Sequence, residues 1–174
     1  MNLKNIAWIP GHPVAGTENS GPNAGQFDLF NGRWTILCPD KSVEDTQIKK
    51  AHSFWESMGS TVKIMSVEDH DRIISLTSHL PHVISFSLMR YIEKSSNIKN
   101  KVLMGGGLKD FTRISSSDPE MWSDIFDLNK KEILNSIKGF KRELEVMERN
   151  ILRSRSKTKN LIAESNKARK KIIN

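Results

Sequence analysis

The chain has 174 residues, of which 37% are hydrophobic and 27% charged, an ordinary balance for one large globular domain or two smaller pieces. No apolar run approaches the roughly 18–20 residues that span a bilayer, and the N-terminus lacks the long apolar segment of a secretory signal, so neither a membrane protein nor a secreted one is expected. The net charge of +7 is unevenly spread, and the single cysteine, Cys38, cannot form an internal disulfide, which favours a cytoplasmic location.

The first 65 residues predict an α/β arrangement. Short runs of strand-forming residues at 5–10, 34–38 and 61–65 predict three strands. A helix is predicted to begin at Ser42, with a capping box, and to stop at Gly59. Strand, helix and strand at this spacing indicate a crossover unit of a parallel sheet. Three strands are few for a doubly wound sheet, which suggests part of a larger domain.

From Ser66 onward the sequence predicts helices. Ser66 is expected to cap one helix, and a second is expected to follow residues 78–82 and to run to about Glu93. This second helix is apolar on nearly all sides, a pattern typical of a buried helix. A loop at residues 105–107 and an irregular stretch follow, and the next helix begins at 118–119, with proline at its favoured first position.

The C-terminal third combines a heptad pattern with positive charge. Apolar residues alternate at spacings of four and three from Ile133 to Ile151, which predicts a seam that needs a partner helix from this chain or from a second copy. Residues 130–174 carry 14 Lys and Arg against 5 Glu. Residues 153–174 have no aromatic side chain for base stacking and no nucleic-acid-binding motif. They are interpreted as a solvated, fraying helical tail, and no nucleic-acid partner is expected.

His12 is the first candidate for chemistry. It lies in the segment Gly-His-Pro directly after the first predicted strand, at the start of a loop. Ligands of open α/β sheets bind at the carboxyl ends of strands, where a rigid scaffold holds loop residues. His52 is interpreted as a surface residue. His70, in the acidic turn Glu-Asp-His-Asp, is interpreted as structural or solvent-exposed.

His79 and His82 are three residues apart and would share one face of a helix. Such a pair can contribute to a metal site, contact a substrate or belong to the core. A metal site needs three or four ligands, and the sequence has no HExxH pattern, so no metal is expected.

Arg113 lies in the segment GGGLKDFTRISSSD, whose glycines permit close approach to a ligand. Its planar guanidinium suits a carboxylate. Asp110 either orients this arginine or forms a surface pair. The segment is interpreted as an anion-binding loop. It is not a phosphate loop, because it lacks the GxxxxGK[ST] pattern.

Four segments together resemble the prephenate and arogenate dehydrogenases. They are residues 11–22 (GHPVAGTENSGP), 68–82 (EDHDRIISLTSHLPH), 105–122 (GGGLKDFTRISSSDPEMW) and the helical run from Ile125, and they share the family's order and spacing up to about residue 152. The family oxidatively decarboxylates prephenate or arogenate in tyrosine biosynthesis, transfers hydride to NAD or NADP, and dimerises through its helical domain. The resemblance therefore implies a cytoplasmic enzyme with a small-molecule substrate and a second copy of the chain as partners.

The resemblance also implies roles for individual residues. His12 matches the catalytic histidine that hydrogen-bonds the ring hydroxyl, and Arg113 matches the arginine that binds a substrate carboxylate. Further matched positions lie at the site entrance, beside the substrate or near the subunit boundary: Thr17, Glu18, His79, His82, Gly106, Asp110 and Trp122. The alternatives are that Trp122 is a core residue and Glu18 a surface acid.

Two family features are absent from the sequence: the GxGxxG turn that binds the cofactor pyrophosphate, and a serine before the Gly-His-Pro segment.

The predicted fold class is α/β followed by all-α. Residues 1–66 are predicted to be the second half of a Rossmann-like dinucleotide-binding domain, 67–152 a helical substrate-binding and dimerisation domain, and 153–174 the tail. The chain is predicted to bind a dinucleotide poorly by itself. The alternative is a non-catalytic helical dimer or regulatory fragment.

Overall fold

The structure is a computed structural model that describes residues 7–15, 25–95 and 105–173. Thr17, Glu18 and the start of the first predicted strand lie outside the described residues. The chain divides into two compact units, Met1–Ile133 and Leu134–Asn174. The boundary predicted after residue 66 falls inside the first unit. No described helix is both long and apolar enough to cross a bilayer.

The described strands form one sheet in the order β1 (Gly11–Val14), β2 (Trp34–Leu37) and β3 (Thr61–Ile64). β2 and β3 are parallel and are joined through helix α1 (Asp45–Ser57), so the predicted crossover unit is confirmed. α1 begins after Glu44, whose side chain forms the capping box with Gln47, and not at Ser42 as predicted. Gly59 has a φ of +85°, which a glycine tolerates and which ends the helix as expected.

The position of the first strand was predicted wrongly. Residues 7–10 are not in a strand, and β1 begins at Gly11 and runs antiparallel to β2, with His12 opposite Ile36. The Cys38 amide donates to the Pro10 carbonyl at 2.9 Å, which fixes this pairing. Pro13 has no amide hydrogen to donate, a loss that an edge strand tolerates. His12 therefore lies within a strand, not in the loop after one.

The helical part begins with α2 (Val67–Ile74), which passes through a π-helical turn (Ser75–His79) directly into α3 (Leu80–Ser95). The Ser66 hydroxyl accepts from the Asp69 amide, so the predicted cap is confirmed. The π-turn was not predicted. α3 is not buried as its composition suggested: Ser85 is its fully buried residue, and its apolar side chains are mostly half-buried in this single chain.

Two short elements replace the irregular stretch predicted after the glycines. Helix α4 (Gly106–Thr112) has Gly105 as its N-cap, and a 3₁₀ turn (Arg113–Ser116) follows it. Helix α5 (Pro119–Leu128) has Asp118 as its N-cap and proline in its first turn, as predicted. Helices α6 (Lys130–Arg153) and α7 (Arg155–Ile173) complete the chain.

One core cluster of the first unit lies between the sheet and α2. Ile36, Cys38 and Ile74 form a buried cluster against which Met65 packs. Because Ile36 is opposite His12 in the sheet and Ile74 ends α2, this cluster sets the separation of β1 from α2.

The second unit holds most of α6 and all of α7. Thr158 in α7 donates its hydroxyl hydrogen to the Asn150 carbonyl at 3.0 Å. Leu144 and Ile151 of the heptad seam are largely exposed in this chain. The segment interpreted as a tail is helical from residue 155 to 173.

Candidate active site

An open cavity of about 640 Å³ lies in the first unit, where β1, the π-turn, α3, the 3₁₀ turn and α5 come together. Its wall brings together five of the candidate residues from four separate segments: His12, His79, His82, Arg113 and Trp122. Ser78, Ser117 and the apolar side chains of Val14, Ile114, Met121 and Ile125 complete most of the lining.

His12 lies on the strand side of this cavity and is hydrogen-bonded to a second histidine. The distance from His12 Nδ1 to His70 Nε2 is 2.8 Å, and His70 Nδ1 is 2.8 Å from the Asp71 carboxylate. Partial desolvation lowers the pKa of His12, and the nearby His70 lowers it further. At neutral pH, His12 is therefore a neutral imidazole with a lone pair on one ring nitrogen.

His79 is a buried part of the cavity wall. Its Nδ1 accepts a hydrogen bond from the Asn129 amide nitrogen at 3.3 Å, and the same nitrogen donates to the Asp71 carbonyl at 2.9 Å. Desolvation by burial lowers the pKa of His79 to about 4, with further contributions from neighbouring histidines, chiefly His12. A neutral His79 that accepts at Nδ1 carries its hydrogen on Nε2, so this nitrogen is a donor.

His82 follows one turn later and has the opposite tautomer. Its Nδ1 donates to the Ser78 carbonyl at 2.9 Å, which leaves Nε2 as an acceptor. Burial lowers the pKa of His82 as well. Among the residues described, no group of three or more His, Cys, Asp or Glu could hold a metal ion.

Trp122 forms the floor of the cavity and is only 7% exposed. It contacts both histidines of the HxxH pair, edge-on at His79 and stacked at His82. Trp122 is therefore a core residue and a cavity residue at once, so the two interpretations of it are not exclusive.

Arg113 enters the cavity wall from the 3₁₀ turn, on a different segment from any of the histidines. Its guanidinium is the cationic group among the imidazoles of the described cavity wall, which favours an anionic ligand over a cationic one. Gly106 and Asp110 lie in α4 and are not among the cavity residues.

Three residues that hydrogen-bond the candidate histidines or one another were not predicted from the sequence: His70, Asp71 and Asn129. The only local signal was the adjacency of His70 and Asp71, which permits a side-chain hydrogen bond. The contact from His12 to His70 spans 58 residues, and no helical or strand periodicity predicts such a contact.

Sequence profiles of one family match the chain along most of its length. "Prephenate dehydrogenase, nucleotide-binding domain" matches residues 1–64, and "Prephenate dehydrogenase, dimerization domain" matches residues 66–164.

Individual relatives agree with these matches. The cyclohexadienyl dehydrogenase of Zymomonas mobilis is 38% identical over 147 residues, which cover 83% of this chain and 50% of that protein. The prephenate dehydrogenase of Bacillus subtilis is 34% identical over 140 residues, which cover 79% of this chain and 38% of that protein. The chain therefore spans half or less of these two relatives.

A solved structure has a similar fold. The prephenate dehydrogenase of Aquifex aeolicus, crystallised in complex with hydroxyphenyl propionate and NAD⁺, aligns with a TM-score of 0.86 and 36% identity, over 94% of this chain and 58% of that one.

Proposed function

Because this chain belongs to the prephenate dehydrogenase family, we propose that it forms the substrate-binding part of an enzyme that oxidatively decarboxylates prephenate or arogenate. The hydride acceptor is NAD or NADP, and the reaction serves tyrosine biosynthesis. One observation carries the proposal: His12 and Arg113, which are 101 positions apart in the sequence, line the same cavity.

The two side chains suit the two ends of such a substrate. Prephenate and arogenate carry carboxylates and a ring hydroxyl. A buried carboxylate needs a compensating charge, which the guanidinium of Arg113 provides in a planar, two-pronged form. The neutral imidazole of His12 accepts the hydroxyl proton as the ring is oxidised. A volume of about 640 Å³ lies within the usual range of small-molecule sites.

The histidines on the helical side supply hydrogen bonds of defined direction. His79 Nε2 is a donor and His82 Nε2 is an acceptor, because their other ring nitrogens are already engaged. Since neither ring is charged at neutral pH, Arg113 is the main charge that the cavity wall offers to a carboxylate.

A dinucleotide does not fit the described residues alone. When bound, it supplies the hydride acceptor of the reaction. Pyrophosphate binding in such folds needs a glycine-rich turn between a strand and a helix. The described turn between β2 and α1, residues 38–44, contains no glycine. We therefore assign no cofactor contact to these residues.

We also propose that the chain forms a homodimer through its helices. The apolar side chains of α3 are only half-buried in one chain, and Leu144 and Ile151 of α6 are largely exposed. Large apolar side chains at regular helical spacing are rarely left in water without a partner. Sedimentation equilibrium of the purified chain is expected to give twice the monomer mass.

The substrate site can be tested without a cofactor. Hydroxyphenyl propionate combines a phenol with a carboxylate and is bound by the Aquifex relative. Calorimetric titration into the 174-residue chain is expected to detect binding, and 3-phenylpropionate, which lacks the hydroxyl, is expected to bind roughly threefold to tenfold more weakly. If neither compound binds, the proposed substrate site is wrong.

A further inference from the structure

Three side chains behind the cavity form a continuous hydrogen-bonded chain. His12 Nδ1 lies 2.8 Å from His70 Nε2, and His70 Nδ1 lies 2.8 Å from Asp71 Oδ1. His70 and Asp71 do not line the cavity, so they act on a ligand only through His12. The His70 side chain is 19% exposed, which limits the competition of water for both of its nitrogens.

When both imidazoles are neutral, the carboxylate decides where each hydrogen of this chain lies. An ionised carboxylate accepts hydrogen bonds and cannot donate, so the hydrogen of neutral His70 lies on Nδ1, facing Asp71. His70 Nε2 then carries a lone pair and accepts from His12, whose hydrogen must lie on Nδ1. His12 Nε2 is left unprotonated.

We propose that His70 and Asp71 are positioning residues, which hold His12 in the one neutral tautomer whose Nε2 can take the proton of the substrate hydroxyl. This inference rests on the proposed function for the identity of the proton donor. The logic is that of a Ser-His-Asp triad, in which a carboxylate sets the tautomer and orientation of a catalytic imidazole. Here a second imidazole stands between the carboxylate and the base.

The same arrangement stabilises the charge that follows proton transfer. The hydroxyl O–H bond breaks, a bond from the hydrogen to His12 Nε2 forms, and the electron pair stays on the oxygen. His12 becomes an imidazolium, whose Nδ1–H bond to His70 is now charge-assisted. Arg113, which lines the same cavity, disfavours this added charge, and the carboxylate of Asp71, acting through His70, opposes that effect.

The fold holds the three groups in place from both sides. His12 is paired opposite Ile36 in the sheet, and Ile36 packs against Ile74 at the end of α2. The Asp71 carbonyl accepts from the Asn129 side chain at 2.9 Å, which ties α2 to the residue that follows α5. Strand and helix are therefore fixed relative to each other within one compact unit.

The tautomer of His12 is directly measurable. Long-range ¹H–¹⁵N correlation spectra of the 174-residue chain at about pH 8, where histidines are neutral, distinguish a protonated from an unprotonated ring nitrogen. His12→Gln assigns the resonances. In the wild type we expect His12 to show a protonated Nδ1 and an unprotonated Nε2.

Asp71→Leu is the decisive variant. It removes the acceptor that faces His70 Nδ1, so neither tautomer of His70 is favoured and the two His12 nitrogen signals are expected to show a mixture of tautomers. Asp69→Leu is the matched control, since Asp69 lies on the same helix and pairs with Arg72. His70→Leu removes the acceptor altogether and is expected to give a mixture of tautomers.

The outcomes separate this inference from the proposed function. Hydroxyphenyl propionate is added to the same wild-type sample. An absence of binding contradicts the proposed function. If the ligand binds but wild-type His12 carries its hydrogen on Nε2, or if Asp71→Leu behaves like Asp69→Leu, the role of His70 and Asp71 is overturned.

Discussion

His82 stacks on Trp122 with ring centroids 3.6 Å apart and ring planes 22° from parallel. The same indole contacts the edges of His79, Phe86 and Phe126. One side chain thus contacts both histidines of the HxxH pair, His79 from the π-turn and His82 from α3, while it fills the space between α3 and α5. Stability and ligand binding are expected to depend on it together.

Trp122→Ala is expected to lower the free energy of unfolding by about 3–5 kcal/mol, the usual cost of deleting a large buried aromatic. It should also abolish binding of hydroxyphenyl propionate, because His82 loses the surface that orients it. Trp122→Phe keeps an aromatic face and should recover part of both properties. Urea unfolding and calorimetric titration measure the two effects. An unchanged affinity in Trp122→Ala would place the ligand elsewhere.

Arg113→Ala is expected to weaken the binding of hydroxyphenyl propionate about tenfold to a hundredfold, since a charge-assisted contact to a carboxylate is lost. Arg33→Ala provides the control, because Arg33 precedes β2 and does not line the cavity. Titration in low and moderate salt separates the local contact from general charge attraction. Equal losses in the two variants would argue against a specific role for Arg113.

His12→Asn is expected to separate catalysis from binding. In a complete enzyme that carries this chain, loss of the proton acceptor should reduce kcat about 10²–10⁴-fold, the usual contribution of a general base, with KM little changed. Steady-state kinetics with prephenate and arogenate would measure both constants. His52→Asn, on the outer part of α1, is the control. A normal kcat in His12→Asn would contradict the proton-transfer role.

Acid is expected to destabilise the fold through His79. Its pKa is about 4 in the folded chain and 6.5 in the unfolded one, so between these values only the unfolded chain takes up the proton. The contribution of His79 to the free energy of unfolding is fully present above pH 6.5 and falls by about 3 kcal/mol as the pH drops to 4. His79→Gln should flatten this dependence in urea unfolding series, whereas His52→Gln should not. Parallel curves for the wild type and His79→Gln would contradict the assignment.

The 174-residue chain is expected to bind NAD⁺ or NADP⁺ more weakly than the micromolar range. The described strand-to-helix turn lacks the glycines on which a pyrophosphate could rest against backbone amides. Titration followed by quenching of tryptophan fluorescence tests this expectation. Micromolar affinity would show that other parts of the chain hold the dinucleotide.

Local patterns predicted local structure well. The Ser66 cap, the stop at Gly59 and the start of α5 at Asp118 and Pro119 each follow from the conformational preference of one or two residues. The strand predicted before Gly11 was wrong. Its apolar run is typical of a strand, but the register of β1 is decided by a hydrogen bond to Cys38, which lies far along the chain. Strand pairing depends on distant residues that periodicity does not report.

Residue types and the family resemblance predicted part of the candidate site, but not the contact between His12 and His70. His12, His79, His82, Arg113 and Trp122 do share a cavity. His70 was assigned a structural or solvent role because an acidic helical turn is usually solvated. Its actual partner comes from a strand 58 residues away, and nothing near position 70 indicates that contact.

The π-turn at residues 75–79 fits one more residue into a single turn than an α-helix would. Deleting one of the four positions before His79 would let α2 run into α3 as a regular helix, because a π-turn absorbs its extra residue without changing the register of the helix beyond it. The backbone that carries Ser78 and His79, which both line the cavity, would then be wound more tightly. The shape of this part of the cavity wall therefore depends on the number of residues in the segment as well as on its side chains.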